Sequence, residues 1–168
     1  MTKSKNGYKK LFMSFIYAFK GIYKTLQLEE NMRVHFVCMI YMYSYLFLFD
    51  FFKVSKTELA IILVANACVL AAEMINTAIE SAVDLVTEEK RVMAQIAKDT
   101  AAGAVLIFAI FSVAVGVVIL WQPDAFRQLF NYYVEKPIRI GEFLLTVVVF
   151  SLFIFKGLPP YKKQEKNR

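Results

Sequence analysis

Leu59-Ala-Ile-Ile-Leu-Val-Ala-Asn66-Ala-Cys-Val-Leu-Ala-Ala-Glu73-Met-Ile-Asn76-Thr-Ala-Ile-Glu80-Ser-Ala-Val-Asp84 is the segment that decides the fold. From Leu59 to Ala72 its one strongly polar residue is Asn66. Glu73, Asn76, Glu80 and Asp84 then come at offsets of 0, 3, 7 and 11. At about 100° per residue these spacings hold all four side chains in one narrow sector of a helix. An ionisable group deep in a bilayer costs about 2.5–3.5 kcal/mol on insertion scales. Several on one face therefore point to chemistry; the plainer reading is a polar seam that fixes helix packing.

Composition agrees with a membrane protein. The 168 residues are 58% hydrophobic with a mean hydropathy of +0.50, and Phe occurs 16 times against one Trp. The apolar residues come in long blocks, more than a soluble domain of this size would bury. The net charge of +6 does not imply nucleic acid, because the basic residues flank apolar blocks instead of clustering among stacking aromatics. Cys38 and Cys68 lie inside apolar segments in no metal-ligand pattern and read as packing residues. Met1–Lys10 leads into an amphipathic stretch without a small-residue cleavage site, so no cleavable signal peptide is expected.

Leu11–Leu28 has apolar residues at helical spacing, interleaved with Lys20 and Lys24 and preceded by Lys9 and Lys10, the profile of an interfacial helix. Val34–Phe52 is the first expected span, Phe52–Thr57 a polar turn, and Glu58–Val86 a long second helix. Thr87–Gln95 is a charged connector, and Ile96–Trp121 a third helix with the small patch Ala101–Ala104 suited to close packing. Pro123 and Pro137 read as breakers around a short interfacial helix at Ala125–Tyr133. Phe143–Phe155 is a fourth apolar block, reaching about 17 residues as Gly141–Gly157, the lower limit for a span. The expected architecture is an all-α integral membrane protein: an amino-terminal interfacial helix, three transmembrane helices in a core of residues 1–121, and a further transmembrane helix with a basic tail in an extension, 122–168.

Fifteen of the 20 Lys and Arg fall before the first span, around the connector and in the tail. Provided that all four apolar blocks span, the positive-inside rule puts both termini and the connector in the cytoplasm, with the polar stripe at the cytoplasmic end of the second helix. Three polar groups meet on that side: Glu29, Glu30, Asn31, Arg33 and His35; the stripe itself; and Lys98 with Asp99. Carboxylates from separate helices suit Mg²⁺, with phosphates and water completing its shell, and a further carboxylate can take a proton from an attacking hydroxyl. No Walker-type or kinase glycine-rich loop is present, so any ATP site is built from helices. Taken singly, Glu29 could be a solvated helix-end acid and Lys98 a snorkelling anchor. His35 reads as packing or interfacial, and Asn66 as an inter-helix hydrogen-bonding group.

The block Glu73-Met-Ile-Asn76-Thr-Ala-Ile-Glu80-Ser-Ala-Val-Asp84, the pair Lys98-Asp99 before Ala101-Ala-Gly103, and Glu29-Glu-Asn31-Met-Arg33-Val-His35 together resemble the small prokaryotic integral-membrane diacylglycerol kinases and their undecaprenol kinase branch. Phe19-Lys20-Gly21 fits the same family's amino-terminal helix, and the resemblance covers roughly residues 10–120. It implies transfer of the ATP γ-phosphoryl to a membrane lipid alcohol, with the Glu29–His35 signature leaning toward undecaprenol over diacylglycerol. It also implies a homotrimer in the bacterial cytoplasmic membrane, its active sites facing the cytoplasm. Glu73 matches the general base, and Glu29 and Glu80 the metal ligands on Mg²⁺-ATP. Asn76, Lys98 and Asp99 match nucleotide-supporting positions, Glu89, Lys90 and Arg91 a connector that touches the nucleotide, and Lys10 and Tyr17 positions near nucleotide or lipid. Two features depart from the family: Arg91-Val-Met-Ala94-Gln95 replaces a usual His-x-x-Ala-Lys, and the chain continues past the third helix. The extension reads as an added anchor, with a partner-binding helix or a fused-module remnant as alternatives. A small ion- or proton-coupled transporter is the competing function, but it calls for acids spread through the membrane instead of crowded at one end. A silent scaffold fits poorly with an intact catalytic set.

Overall fold

The computed structural model describes residues 3–86 and 91–159, with side chains from residue 7 onward. Six helices and no strand occur among these residues: α1 (Lys3–Leu28), α2 (Glu30–Leu48), α3 (Lys56–Val86), α4 (Val92–Leu120), α5 (Pro123–Glu135) and α6 (Pro137–Lys156).

α3 and α4 form an antiparallel hairpin and the most extensive helix pair in the chain. Ile62, Val69 and Ala72 of α3 and Ala101 and Val105 of α4 are buried, and the small side chains at 72 and 101 allow the close approach. At 1.5 Å per residue the 31 residues of α3 extend about 46 Å, some 15 Å more than a hydrocarbon core of about 30 Å. Glu73 lies about 26 Å along it and Asp84 about 42 Å. Counted from an entry into the apolar layer at Lys56, the stripe starts just inside that layer and runs out of it, which is how one helix can be both a span and a site.

α3, α4 and α6 are long and apolar enough to cross a membrane. α2 is not among them, because Asn31, Arg33 and His35 occupy its first turns and the helix stops at Leu48, short of the expected Phe52. It packs on α3 and α6. α1 begins at Lys3, well before the expected Leu11, and leaves Phe12, Phe15 and Phe19 exposed, an uncovered apolar face suited to a membrane interface.

Two prolines behave differently from expectation. Pro123 and Pro137 each occupy the start of a helix instead of breaking one, because the N–H that proline lacks has no intrahelical partner in the first turn. α6 therefore starts six residues before the expected Phe143. α4 likewise starts at Val92, four residues before the expected Ile96, which shortens the connector.

At the end of the molecule remote from the stripe, rings from the α2–α3 turn and the extension interlock. Phe49 and Tyr132 meet edge to face at 5.0 Å between centroids, and the Tyr45 and Tyr133 hydroxyls hydrogen-bond at 2.7 Å. The Gln122 side chain accepts from Lys53 N and donates to Lys53 O, both at 3.0 Å, joining that turn to the α4–α5 corner.

Candidate active site

The site grows from a one-residue break between two helices. Glu29 is the single non-helical residue between α1 and α2, with extended dihedrals (φ −102°, ψ 119°), and its side chain makes no capping hydrogen bond. Its carboxyl is left to face α3. Burial raises the Glu29 pKa above the ordinary carboxylate value, and the negative charges of Glu80 and Glu73 raise it further; a hydrogen bond from Thr77 and the Arg33 charge oppose them. Residues 44 and 51 positions apart in sequence are thus close enough in space to act on one another's ionisation.

Glu73 is 1% exposed. Its Oε1 lies 3.4 Å from His35 Nε2, an ion-pair distance without hydrogen-bond alignment, and has no hydrogen-bond partner among the described residues. One turn on, Asn76 Nδ2 donates to Glu80 Oε1 at 2.9 Å, while Asn76 Oδ1 is buried and likewise without a partner among the described residues. Buried polar atoms are nearly always paired, so two orphaned oxygens three residues apart mark a place built for something other than its own packing. Thr77 completes the floor, its hydroxyl donating to Glu73 O at 2.9 Å.

The other expected residues are less central. Asp84 and Lys98 pair with each other at 2.5 Å, joining α3 to α4 on the exposed side of the stripe, and Asp99 is exposed beside Lys98. Arg91 is the N-cap of α4, whereas Glu89 and Lys90 lie outside the described residues. Lys10 and Tyr17 are exposed on α1, about 27 and 16 Å back from its end. Within one chain they stand away from the carboxylates, and the Tyr17 ring is approached by Lys20 Nζ at 5.9 Å.

Among the described residues no three His, Cys, Asp or Glu converge as a complete metal-ligand set. Glu29 and Glu80 supply two carboxylates whose mutual repulsion is evident in the raised Glu29 pKa. That donor set fits Mg²⁺, which is commonly held by one or two carboxylates with phosphates and water. It does not fit a structural cation that needs a full protein cage.

His35 is the residue that sequence reasoning undervalued. Its signal was a lone ionisable group between Val34 and Phe36, and only the packing of α2 on α3 shows that it meets Glu73. A groove of about 410 Å³ runs from His35 between α2, α3 and α4, past Cys38, Met42 and Val69 to Asn66 and Ser112. At its far end Asn66 donates to Tyr43 Oη and accepts from Ser112 Oγ, both at 3.0 Å.

The family model described as prokaryotic diacylglycerol kinase matches residues 16–120. An undecaprenol kinase from Bacillus subtilis (strain 168) is 35% identical over 117 residues, covering 68% of this chain and 91% of that protein. A diacylglycerol kinase from Synechocystis sp. (strain ATCC 27184 / PCC 6803 / Kazusa) is 38% identical over 117 residues, covering 67% of this chain and 63% of the relative. No solved structure matches. With the acidic stripe, the Lys98-Asp99 pair and the α3–α4 hairpin all inside the matched region, the chain belongs to the prokaryotic diacylglycerol kinase family and is a multi-pass membrane lipid kinase.

Proposed function

We propose that this lipid kinase transfers the γ-phosphoryl of Mg²⁺-ATP to undecaprenol, with Glu73 as the general base, at a site facing the cytoplasm. The observation that carries the reading is the buried Glu73 carboxylate, whose Oε1 has no hydrogen-bond partner among the described residues and faces His35 at 3.4 Å. A base must keep a lone pair available for the proton it takes, and this oxygen does.

In this mechanism the acceptor hydroxyl lies against Glu73 Oε1. Its oxygen forms a bond to the γ-phosphorus, the bond from that phosphorus to the β–γ bridging oxygen breaks, and ADP leaves. The hydroxyl proton passes to Glu73. His35 orients the carboxylate from the α2 side, and Asn76 holds Glu80 in place through its 2.9 Å hydrogen bond. Glu29 and Glu80 would hold Mg²⁺, which when bound neutralises charge on the phosphates. Lys98 and Asp99, with the connector at Glu89, Lys90 and Arg91, support the nucleotide beyond the carboxylates, and Lys10 and Tyr17 approach nucleotide or lipid from α1. Phosphoryl transfer relies mainly on positioning and electrostatics, and carboxylates held by the α1–α2 junction and by the body of α3 supply both.

The groove from His35 down to Asn66 gives the hydrocarbon of the acceptor a path beside α2 and α3, so that its hydroxyl arrives at Glu73. Undecaprenol is preferred over diacylglycerol on the Glu29–His35 signature and on the undecaprenol kinase relative, 91% of which this chain covers. We also place the chain in a homotrimer. Only Ala101 and Val105 of α4 are buried within the chain, which leaves its apolar surface for lipid and neighbouring copies.

The test is purified protein in mixed micelles with Mg²⁺ and γ-labelled ATP, offered undecaprenol and diacylglycerol separately. Label in undecaprenol that disappears in Glu73→Gln supports the reading. Label in diacylglycerol alone replaces the acceptor, and label that persists in Glu73→Gln removes Glu73 as the base.

A further inference from the structure

The carboxy-terminal extension lies outside the family match, which ends at residue 120, yet its last turn reaches the site's corner. Arg33 is 6% exposed, and its guanidinium is satisfied by backbone carbonyls from two helices. Nε donates to Ile154 O of α6 at 2.7 Å, and Nη1 donates to Leu26 O and Gln27 O at the end of α1, both at 3.1 Å. Carbonyls in a helix's final turn lack intrahelical donors and carry the negative end of the helix dipole. One cation therefore caps α1 and α6 together.

Two further details close the arrangement. Gly157 ends α6 with φ +67°, and a Cβ placed there would sit 3.5 Å from Arg33 Cζ and Nη1. The chain thus turns past the guanidinium at a residue suited to left-handed backbone. Gln27 Nε2 also donates to Pro159 O. The α1–α2 corner is accordingly tied to 154–159 at two places.

That corner is where Glu29 is presented. Arg33 lies one helical turn after Glu29, with its own N–H on Glu29 O at 3.4 Å, and two residues before His35, which faces Glu73. We propose that the carboxy-terminal extension is a positioning element of the kinase site: the last turn of α6 holds the Arg33 guanidinium, and Arg33 holds the corner that presents Glu29. Arg33 is a positioning residue here, since Nε and Nη1 are engaged by backbone carbonyls of α1 and α6. The inference rests on the proposed function in one respect, that Glu29 serves Mg²⁺-ATP.

The experiment uses the full-length chain and the variants Gly157→Val, Arg33→Lys and their combination. Gly157→Val strains the positive-φ turn that ends α6 and crowds the Arg33 guanidinium there, while α1–α4 keep their own residues. Because Glu29 serves Mg²⁺-ATP binding in this reading and not the proton transfer, a shifted corner should raise KM for Mg²⁺-ATP about tenfold in Gly157→Val, with kcat within about twofold of wild type. Arg33→Lys keeps the charge but not the fork, so it should act in the same direction, and the double variant should be no worse than the stronger single. Unchanged KM in Gly157→Val, or effects that add in the double variant, overturns the proposal. If Gly157→Val does not fold, Gln27→Leu cuts the second tie from a half-buried position, and an unchanged KM there also overturns it. Hydrogen–deuterium exchange on the same proteins separates this inference from the kinase reading. Amides of residues 33–37 should exchange faster in Gly157→Val whether or not lipid is phosphorylated; unchanged exchange overturns the tie to α6. If Glu29→Gln leaves the Mg²⁺ requirement unchanged, the metal assignment falls while the exchange result stands.

Discussion

Replacing Glu73 by Gln separates a catalytic carboxylate from a packing seam, because the two readings predict opposite signs in stability. Gln has nearly the shape of Glu, so the pocket around this 1% exposed side chain gains no cavity. A positioned general base contributes about 10²–10⁴-fold to rate, or about 2.7–5.5 kcal/mol of transition-state stabilisation. An amide cannot take the proton of the attacking hydroxyl, so the full factor should be lost from kcat. Stability should move the other way. Glu73 Oε1 is buried without a hydrogen-bond partner among the described residues, and such an atom costs about 1–3 kcal/mol. An amide removes the negative charge and relieves part of that penalty, so the thermal midpoint in detergent should stay level or rise. Label transfer to lipid measures turnover, and binding of a non-hydrolysable nucleotide should be little changed. Turnover within about tenfold of wild type refutes Glu73 as the base. Turnover lost together with a lowered midpoint refutes the argument differently, by showing that the carboxylate holds the helices together.

The same geometry sets other outcomes. Glu80→Gln and Glu29→Gln should each raise the Mg²⁺ concentration needed for half-maximal activity, in a Mg²⁺ titration at fixed ATP, and the double variant should be inactive. The raised Glu29 pKa means that a bound cation competes with a proton, so the Mg²⁺ requirement of the wild type should increase as pH falls; Glu29→Gln should flatten that dependence. Lys98→Met breaks a partly exposed pair with Asp84 and should lower thermal stability by no more than about 1 kcal/mol, so a larger loss of nucleotide affinity in a binding titration would mark a separate nucleotide contact. Asn66→Leu removes two inter-helix hydrogen bonds, each worth about 0.6–2 kcal/mol in a bilayer, and should lower the thermal midpoint more than it lowers kcat.

Much of the architecture was written in the chain, for identifiable reasons. A stripe such as Glu73–Asp84 is legible because helical periodicity is a local property and because acids in apolar runs are rare. Helix starts were less legible: Pro123 and Pro137 look the same in sequence whether they break a helix or begin one, and the residues on their carboxy-terminal side decide between the two. The status of α2 depends on where polar residues fall along it, since the same 19 residues with Arg33 and His35 moved beyond its ends would read as an ordinary span. His35 looked like a packing residue because its partner, Glu73, stands on another helix far along the chain. Arg33 gave no hint of its role, because its three acceptors are backbone carbonyls and so leave no side-chain signature. One of them is 121 residues downstream.

The small polar knot at Asn66 has a consequence for the whole assembly of helices. Apolar surfaces in a bilayer slide past one another with little penalty, since lipid tails and leucine side chains are alike as solvents. Asn66 makes that sliding discontinuous. If α4 slipped by one turn, Phe108 or Gly116 would replace Ser112, and a like slip of α2 would bring Met39 or Phe47 to the place of Tyr43. None of these side chains can bond to the amide. Three helices are thereby indexed to one another like the teeth of a vernier, and the Glu73 and Glu80 carboxylates, 7 and 14 residues further along α3, inherit their alignment from it.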